Sequence, residues 1–159
     1  MFRDHGQARK YHHAVVGWNA RMDGIQGEVL RIKLKNLAEK NRLRRTHAEA
    51  YDRQLAGVGG LKLPHKAEYG THVYHLYVVR VGNRESFMQQ LHARGIGCAI
   101  HYPVPIHLQQ AYTSLGLKRG SFPITERCSD EIVSLPMFPE LTSEQVSSVC
   151  EAVKASVAA

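Results

Sequence analysis

The stretch VVGWNARMDGIQGEVLRIKLKNL, residues 15–37, joins a Gly-Trp-Asn-Ala-Arg turn to an amphipathic pattern. Its apolar residues recur at helical spacing in two neighbouring stripes: Ile25, Val29, Ile32 and Leu30, Leu34, Leu37. This periodicity predicts a long helix from residue 22 to about residue 55 with one broad face buried. Asn19 precedes it and can cap free N–H groups, so an anion could sit near Asn19 and Arg21. A simple cap with a solvated Arg21 explains the same residues.

The net charge of +7 is compatible with a polyanionic partner or with a smaller phosphorylated ligand. Much of this charge lies on the polar side of the predicted helix, where acidic and basic residues alternate, for example at Glu28/Arg31 and Glu49/Arg53. Alternating signs are typical of a solvated helix face and do not favour a surface for nucleic acid.

Neither a membrane span nor an export signal is expected. No apolar run approaches the roughly 18 residues that a span needs, and the first residues contain no apolar signal core. The cysteines Cys98, Cys128 and Cys150 form no Cys-x-x-Cys pair, which argues against a disulfide framework and a thiolate zinc site. We expect a cytoplasmic protein.

The remainder of the chain alternates strand and helix patterns. Residues 71–81, THVYHLYVVRV, predict a strand with Val73, His75, Tyr77 and Val79 on one face. Asn83 can cap a helix over residues 84–94 that Gly95 ends, and residues 96–102 resemble a second strand. We expect a short helix after the prolines, a helical stretch over 122–135, and a last helix that Thr142 caps. The fold class is therefore α/β.

The histidines do not form a metal-ligand pattern. His72 and His75 lie an odd number of residues apart on a predicted strand and so face opposite sides. His101 and His107 are separated by two prolines and have no cysteine or carboxylate at a zinc-like spacing. In IHYPVPIH, residues 100–107, rigid placement of His101 and Tyr102 would suit a ligand, and a proline-rich connection with a packed tyrosine explains the loop equally well.

Four segments together carry a family resemblance: HGQARKYHHAVVGWNARMDGIQGEVLRIKL, HVYHLYVVRV, RGIGCAIHYPVPIHLQQAY and FPITERCSDEIVSLPMFPELTSEQV. In this order they resemble the carboxy-terminal portion of the DegT/DnrJ/StrS-type nucleotide-sugar aminotransferases, pyridoxal-phosphate enzymes of fold type I. The resemblance implies three regions. Residues 1–21 would end the large domain, residues 22–56 would form a long connecting helix, and residues 57–159 would form a small α+β domain with a sheet flanked by helices.

The resemblance also assigns site residues. The Gly-x-Asn-x-Arg motif, here Gly17, Asn19 and Arg21, enters the neighbouring subunit's site in family dimers, where the asparagine contacts the phosphate of pyridoxal phosphate. Arg21, His101 and Tyr102 would lie on the nucleotide-sugar side, and the forked donors of arginine suit a diphosphate. The implied partners are a second copy of the chain or an amino-terminal cofactor domain.

One departure from the family pattern limits this assignment. The family lysine that forms a Schiff base with the cofactor lies in a Ser-Phe/Tyr-x-x-x-Lys segment, and this sequence has no such segment. We therefore expect a fragment that is inactive alone and self-associates through the apolar helix face that it leaves bare. The alternatives are a non-catalytic assembly or remnant domain and, ranked last, a basic nucleic-acid-binding module.

Overall fold

In the computed structural model, which describes residues 1–157, the chain divides into two units, Met1–Glu39 and Lys40–Ala159. The first contains a small antiparallel hairpin of β1 (Gln7–Arg9) and β2 (His12–His13), followed by helix α1 (Gly24–Leu34). Helix α2 (Leu37–Leu55) begins in the first unit and continues into the second.

The second unit contains a three-stranded antiparallel sheet in the order β3 (Leu61–Lys62), β4 (Tyr77–Val81), β5 (Ile132–Leu135). Helices α3 (Arg84–Ala93), α4 (Pro123–Glu131) and α5 (Ser143–Val157) accompany this sheet. Two 3-10 turns, Ile106–Leu108 and Gln110–Leu115, follow the prolines. The predicted α/β class, with a small sheet and flanking helices, is confirmed.

The hydrophobic core belongs to the second unit. Buried side chains of the sheet, α2, α3 and α5 form one cluster, whose largest members are Tyr51, Tyr77, Phe87, Leu55 and Leu91. The rings of Tyr51 and Tyr77 pack with centroids 4.8 Å apart. Their hydroxyls donate to the Pro136 carbonyl at 2.8 Å and to Asp52 at 2.6 Å, so the polar ends of these rings are satisfied.

Two of the three predicted N-caps, those at Asn83 and Thr142, formed. The Asn83 side chain accepts a hydrogen bond from the Ser86 N–H at the start of α3. Thr142 and Gln145 exchange two hydrogen bonds, at 3.0 and 3.2 Å, at the start of α5. This reciprocal pair is a capping box, which a Thr-x-x-Gln spacing encodes locally.

The predicted single helix over residues 22–55 is wrong in its middle. Lys35 and Asn36 form a turn between α1 and α2, and the Asn36 N–H donates to the Lys33 carbonyl at 3.2 Å, a tighter link than the helical one. The prediction that the apolar face is buried is also wrong for α1, since none of its residues is buried. Apolar periodicity identified a face that no described residue covers.

Two strand predictions also required correction. The strand predicted over 71–81 begins only at Tyr77, because Tyr74 has a positive φ of 48° that breaks the alternation. The Arg44 guanidinium donates to the carbonyls of Tyr74, His75 and Met137, at 2.9–3.2 Å, and replaces a strand partner there. As a result Val73 and His75 are exposed, whereas Tyr77 and Val79 are buried.

The second predicted strand did not form. The stretch 96–102 was predicted to be a strand, but only Ala99 forms a bridge, with Ser134. Strand β4 pairs with β5, whose residues lie in the stretch that was predicted to be helical. Helix α4 ends at Glu131, after which β-branched Ile132 and Val133 adopt an extended path that favours sheet pairing.

Candidate functional site

The Gly-Trp-Asn-Ala-Arg turn lies against the first residues of the chain. The N–H groups of Trp18 and Ala20 donate to the carbonyls of Phe2 and Arg3 at 2.7 and 2.8 Å, and the His5 N–H donates to the Trp18 carbonyl at 2.8 Å. These bonds pair the turn with residues 2–5 in a short antiparallel arrangement. The backbone around Asn19 is therefore fixed by non-local hydrogen bonds.

Gly17 is required by the close approach of these two segments. A Cβ atom at Gly17 would lie 2.1 Å from the Gly6 nitrogen, and one at Gly6 would lie 1.7 Å from the Val15 carbonyl oxygen. Gly6 also has a φ of +72°, which side chains other than hydrogen rarely tolerate. Both glycines thus allow the crossing that presents Asn19 and Arg21.

The sequence predicted that Asn19 could cap the helix, but Asn19 is not the cap. Helix α1 begins at Gly24, and its N-cap is Asp23, whose carboxylate accepts from the Gln26 N–H at 2.8 Å. Asn19 is exposed and, within residues 1–157, its side-chain amide makes no hydrogen bond. The helix dipole therefore does not explain an anion at Asn19, but its amide donor is available.

Arg21 lies in the same loop and has only a loose partner. Its Nε atom is 3.7 Å from a carboxylate oxygen of Asp4, and both side chains are substantially exposed. An exposed ion pair at this distance contributes little to stability, so the guanidinium can exchange this partner for a ligand. Asn19 and Arg21 thus form a small set of donors on one rigid turn.

His101 and Tyr102 occupy the segment that follows the Ala99 bridge. The Nδ1 atom of His101 lies 2.9 Å from the Ser134 hydroxyl, and the imidazole is half-buried. Tyr102 is 73% exposed, and its ring meets the His101 ring edge-on with the ring centroids 5.6 Å apart. The Tyr102 carbonyl accepts from the Ser129 hydroxyl at 3.2 Å. One ring is thus anchored, and its neighbour is open to solvent.

Glu126 was not among the site residues predicted from the sequence. It is a buried carboxylate that forms hydrogen bonds within the loop that follows His101. Glu126 accepts from the Gly120 N–H at 2.7 and 2.9 Å and from the Phe122 N–H at 3.1 Å, and it contacts His107 Nε2 at 2.9 Å. The Gly120 amide, with the Phe122 amide and His107, lowers the pKa of this carboxyl below its usual range. An acidic residue three positions after Pro123 could have signalled such an N-terminal role.

The candidate residues belong to two different units. Asn19 and Arg21 lie in Met1–Glu39, and His101 and Tyr102 lie in Lys40–Ala159. Within residues 1–157, no group of three or more His, Cys, Asp or Glu side chains is arranged to hold a metal ion. None of the helices in that part of the chain is long and apolar enough to cross a membrane.

Part of the positive charge on helices α1 and α2 is neutralised by ion pairs. Arg31 forms a two-pronged pair with Glu28 at 2.5 and 2.6 Å, and Lys40 contacts Glu140 at 3.0 Å. Both pairs are exposed. This arrangement agrees with the interpretation of the polar side of the predicted helix as a solvated face.

Comparison with known proteins gives these residues a family context. Residues 1–154 match the DegT/DnrJ/EryC1/StrS aminotransferase family. The erythromycin biosynthesis sensory transduction protein EryC1 of Saccharopolyspora erythraea is 41% identical over 98% of this chain and 42% of its own length. A dTDP-3-amino-3,4,6-trideoxy-alpha-D-glucose transaminase of Streptomyces venezuelae is 40% identical over 97% of this chain and 41% of its own length.

Solved structures agree with the sequence comparison. The crystal structure of S. venezuelae DesV in complex with a ketimine intermediate matches 98% of this chain and 42% of its own, with a TM-score of 0.92 and 39% identity. NtdA of Bacillus subtilis with bound cofactor PMP matches 99% of this chain and 38% of its own, with a TM-score of 0.86 and 27% identity. The chain therefore spans about two fifths of the length of these relatives.

Proposed function

This chain belongs to the DegT/DnrJ/EryC1/StrS aminotransferase family, and we propose that it forms part of a pyridoxal-phosphate-dependent aminotransferase that acts on keto-sugar nucleotides. The proposal is supported by relatives named as transaminases of dTDP- and UDP-linked sugars. In this proposal residues 1–21 supply a loop to a neighbouring subunit's site. Residues 22–56 connect this loop to residues 57–159, which form the domain that closes over the substrate.

The exposed donors of the Gly-x-Asn-x-Arg turn carry the cofactor part of the proposal. Asn19 has an amide without a hydrogen bond within residues 1–157, on a backbone that the crossing at Gly17 holds in place. Such a donor fits a phosphate oxygen of pyridoxal phosphate, because a pre-set donor loses little entropy on binding. When bound, the cofactor acts as the electron sink of the transfer. Asn19 would hold its phosphate in trans.

Arg21, His101 and Tyr102 would contact the nucleotide sugar. The forked donors of Arg21 suit a diphosphate, and its present partner, Asp4, is weakly held at 3.7 Å. The anchored His101 and the exposed Tyr102 supply a further donor and a ring.

Covalent attachment of the cofactor is not part of what this chain does. A lysine that holds the aldehyde is activated by a desolvated pocket or by a neighbouring cationic group, either of which lowers its pKa. Every lysine here is exposed: Lys10, Lys33, Lys35, Lys40, Lys62, Lys66, Lys118 and Lys154. We therefore propose that the chain alone does not transaminate and that a lysine-bearing cofactor domain completes the site.

Reductive trapping tests this conclusion. The chain is mixed with pyridoxal phosphate, treated with borohydride and digested, and modified lysines are quantified by mass spectrometry. We expect only sparse labelling spread over several exposed lysines, equal to that obtained with pyridoxal, which lacks the phosphate. Stoichiometric labelling of one lysine would contradict the proposal. Asn19→Ala, compared with Asn36→Ala as an exposed matched control, then tests whether weak non-covalent binding of pyridoxal phosphate depends on the Gly-x-Asn-x-Arg turn.

The proposed partner is a second copy of this chain or a cofactor domain, and helix α1 provides the surface. Ile25, Leu30, Ile32 and Leu34 are between 51% and 81% exposed. Apolar side chains contiguous on one helix are typical of a protein interface. The alternative, a non-catalytic assembly role, uses the same surface and is distinguished by whether a nucleoside diphosphate binds near His101.

A further inference from the structure

Ser134 is a buried polar residue of the sheet. Its neighbours in β5, Val133 and Leu135, belong to the hydrophobic core, and the Ser134 side chain lies on the opposite face of the strand, where it is only 5% exposed. A buried hydroxyl without a hydrogen bond destabilises the folded chain. A serine there is therefore unfavourable unless its hydroxyl has a partner.

That partner is His101. The Ser134 N–H donates to the Ala99 carbonyl at 2.8 Å, and the Ala99 N–H donates to the Ser134 carbonyl at 3.2 Å. This reciprocal pair sets Ala99 directly opposite Ser134, so the residue two positions later becomes its diagonal neighbour, within reach of a long side chain. The Ser134 hydroxyl accordingly lies 2.9 Å from His101 Nδ1.

The hydrogen bond engages only one edge of the imidazole. A neutral imidazole donates through one ring nitrogen and accepts through the other. When the Ser134 hydroxyl donates to Nδ1, the proton of the ring is on Nε2, and within residues 1–157 no other group bonds that nitrogen. Nε2–H is then a fixed donor suited to an anionic oxygen.

We propose that Ser134 is a positioning residue: its buried hydroxyl holds His101 by Nδ1 so that Nε2–H donates to a phosphate oxygen of the nucleotide-sugar substrate. This inference rests on the proposed function, in which His101 faces the nucleotide sugar. Ser129 acts on the adjacent residue, since its hydroxyl fixes the Tyr102 carbonyl. Strand β5 thus contacts the segment that contains His101 through the side chain of Ser134.

The test uses the whole chain labelled with ¹⁵N in histidine. The chemical shift of His101 Nδ1 and the mobility of the His101 ring are measured by NMR in the wild type, in Ser134→Ala and in Ser134→Thr. In Ser134→Ala we expect Nδ1 to move to the shift of an unbonded ring nitrogen and the ring to become more mobile. Ser134→Thr, which keeps the hydroxyl, should restore both signals. Unchanged signals in Ser134→Ala would overturn the proposal.

Ser156→Ala provides the matched control. Ser156 is also 5% exposed, and its hydroxyl is a buried polar atom without a hydrogen bond in the described structure. This variant should leave the His101 signals unchanged, which separates loss of the contact from loss of a buried hydroxyl. His107, bonded to Glu126, serves as an internal reference that should not move in any variant.

Titration with dTDP separates this inference from the proposed function. We expect dTDP to perturb His101 Nε2 and to bind about five- to tenfold more weakly to Ser134→Ala, the loss of one well-placed hydrogen bond. If dTDP leaves His101 untouched in the wild type, the proposed function fails, whatever the Nδ1 result. If dTDP perturbs His101 and binds all variants equally, the positioning role fails.

Discussion

At the scale of single residues, Glu126 shows how a charge is kept in a nearly buried position. Its carboxylate accepts two backbone N–H groups and contacts an imidazole nitrogen, so the negative charge is satisfied without solvent. His107 is buried beside it and packs edge-on against the Phe122 ring at 4.9 Å. The Glu126 carboxylate therefore stabilises the loop that begins at His101.

The lowered pKa of Glu126 predicts a pH dependence of stability. Because the folded-state pKa lies below the unfolded value of about 4.3, its stabilisation is present above that pH and is lost as the pH falls through the folded pKa. We expect Glu126→Gln to be less stable than the wild type at neutral pH and to lose less stability on acidification. Urea unfolding followed by circular dichroism between neutral pH and about pH 3 measures both.

Glu68→Gln is the control for this comparison, because Glu68 is exposed. Its unfolding free energy should follow the wild-type pH dependence. Parallel curves for Glu126→Gln and the wild type would show that the Glu126 hydrogen bonds contribute no pH-dependent stability.

At the scale of elements, the start of helix α5, which carries a reciprocal cap, is determined by the local sequence. The capping box of α5 satisfies two backbone N–H groups at its start, and buried side chains from Val146 to Ser156 then hold the helix on the core. The sheet behaves differently. Strand β5 exists because Tyr77, Val78, Val79 and Arg80 pair with it across a long sequence separation.

Removal of the cap tests how much this local signal contributes. Thr142→Ala should destabilise the chain by about 1 kcal/mol, the usual cost of losing an N-cap side chain. Ser148→Ala, an exposed substitution inside the same helix, should change stability by less than about 0.5 kcal/mol. Chemical denaturation of both variants provides the comparison, and equal stabilities would mean that core packing alone sets the helix start.

At the scale of the whole molecule, the distribution of apolar surface is uneven. The core cluster is confined to residues from Ala48 onwards, whereas helix α1 has no buried residue. Leu30, Arg31 and Leu34 of this helix, together with Leu37 of α2, line an open apolar depression. A stable monomer rarely exposes such a surface, so the chain is expected to bury it against a partner.

Self-association is the prediction at this scale. Sedimentation velocity over a range of concentrations should detect dimers or larger species of the wild type. Leu30→Glu should weaken association at least about tenfold, because burial of a leucine contributes about 1.5–3 kcal/mol and each 1.4 kcal/mol is a factor of ten. Lys35→Glu changes an exposed polar residue next to the same helix and should have a smaller effect. A wild type that stays monomeric at high concentration would refute the interface.

Features that depend on neighbouring residues could be predicted from the sequence: the caps at Asn83 and Thr142, the helix end at Gly95, and the motif set that identified the family. These rest on local hydrogen bonds and φ preferences, which a short stretch encodes completely. Other features became clear only from the folded chain: which strand pairs with β4, that Asp23 rather than Asn19 caps α1, and that Ser134 contacts His101. Each of these depends on which distant segment supplies a partner, and sequence periodicity does not specify that partner.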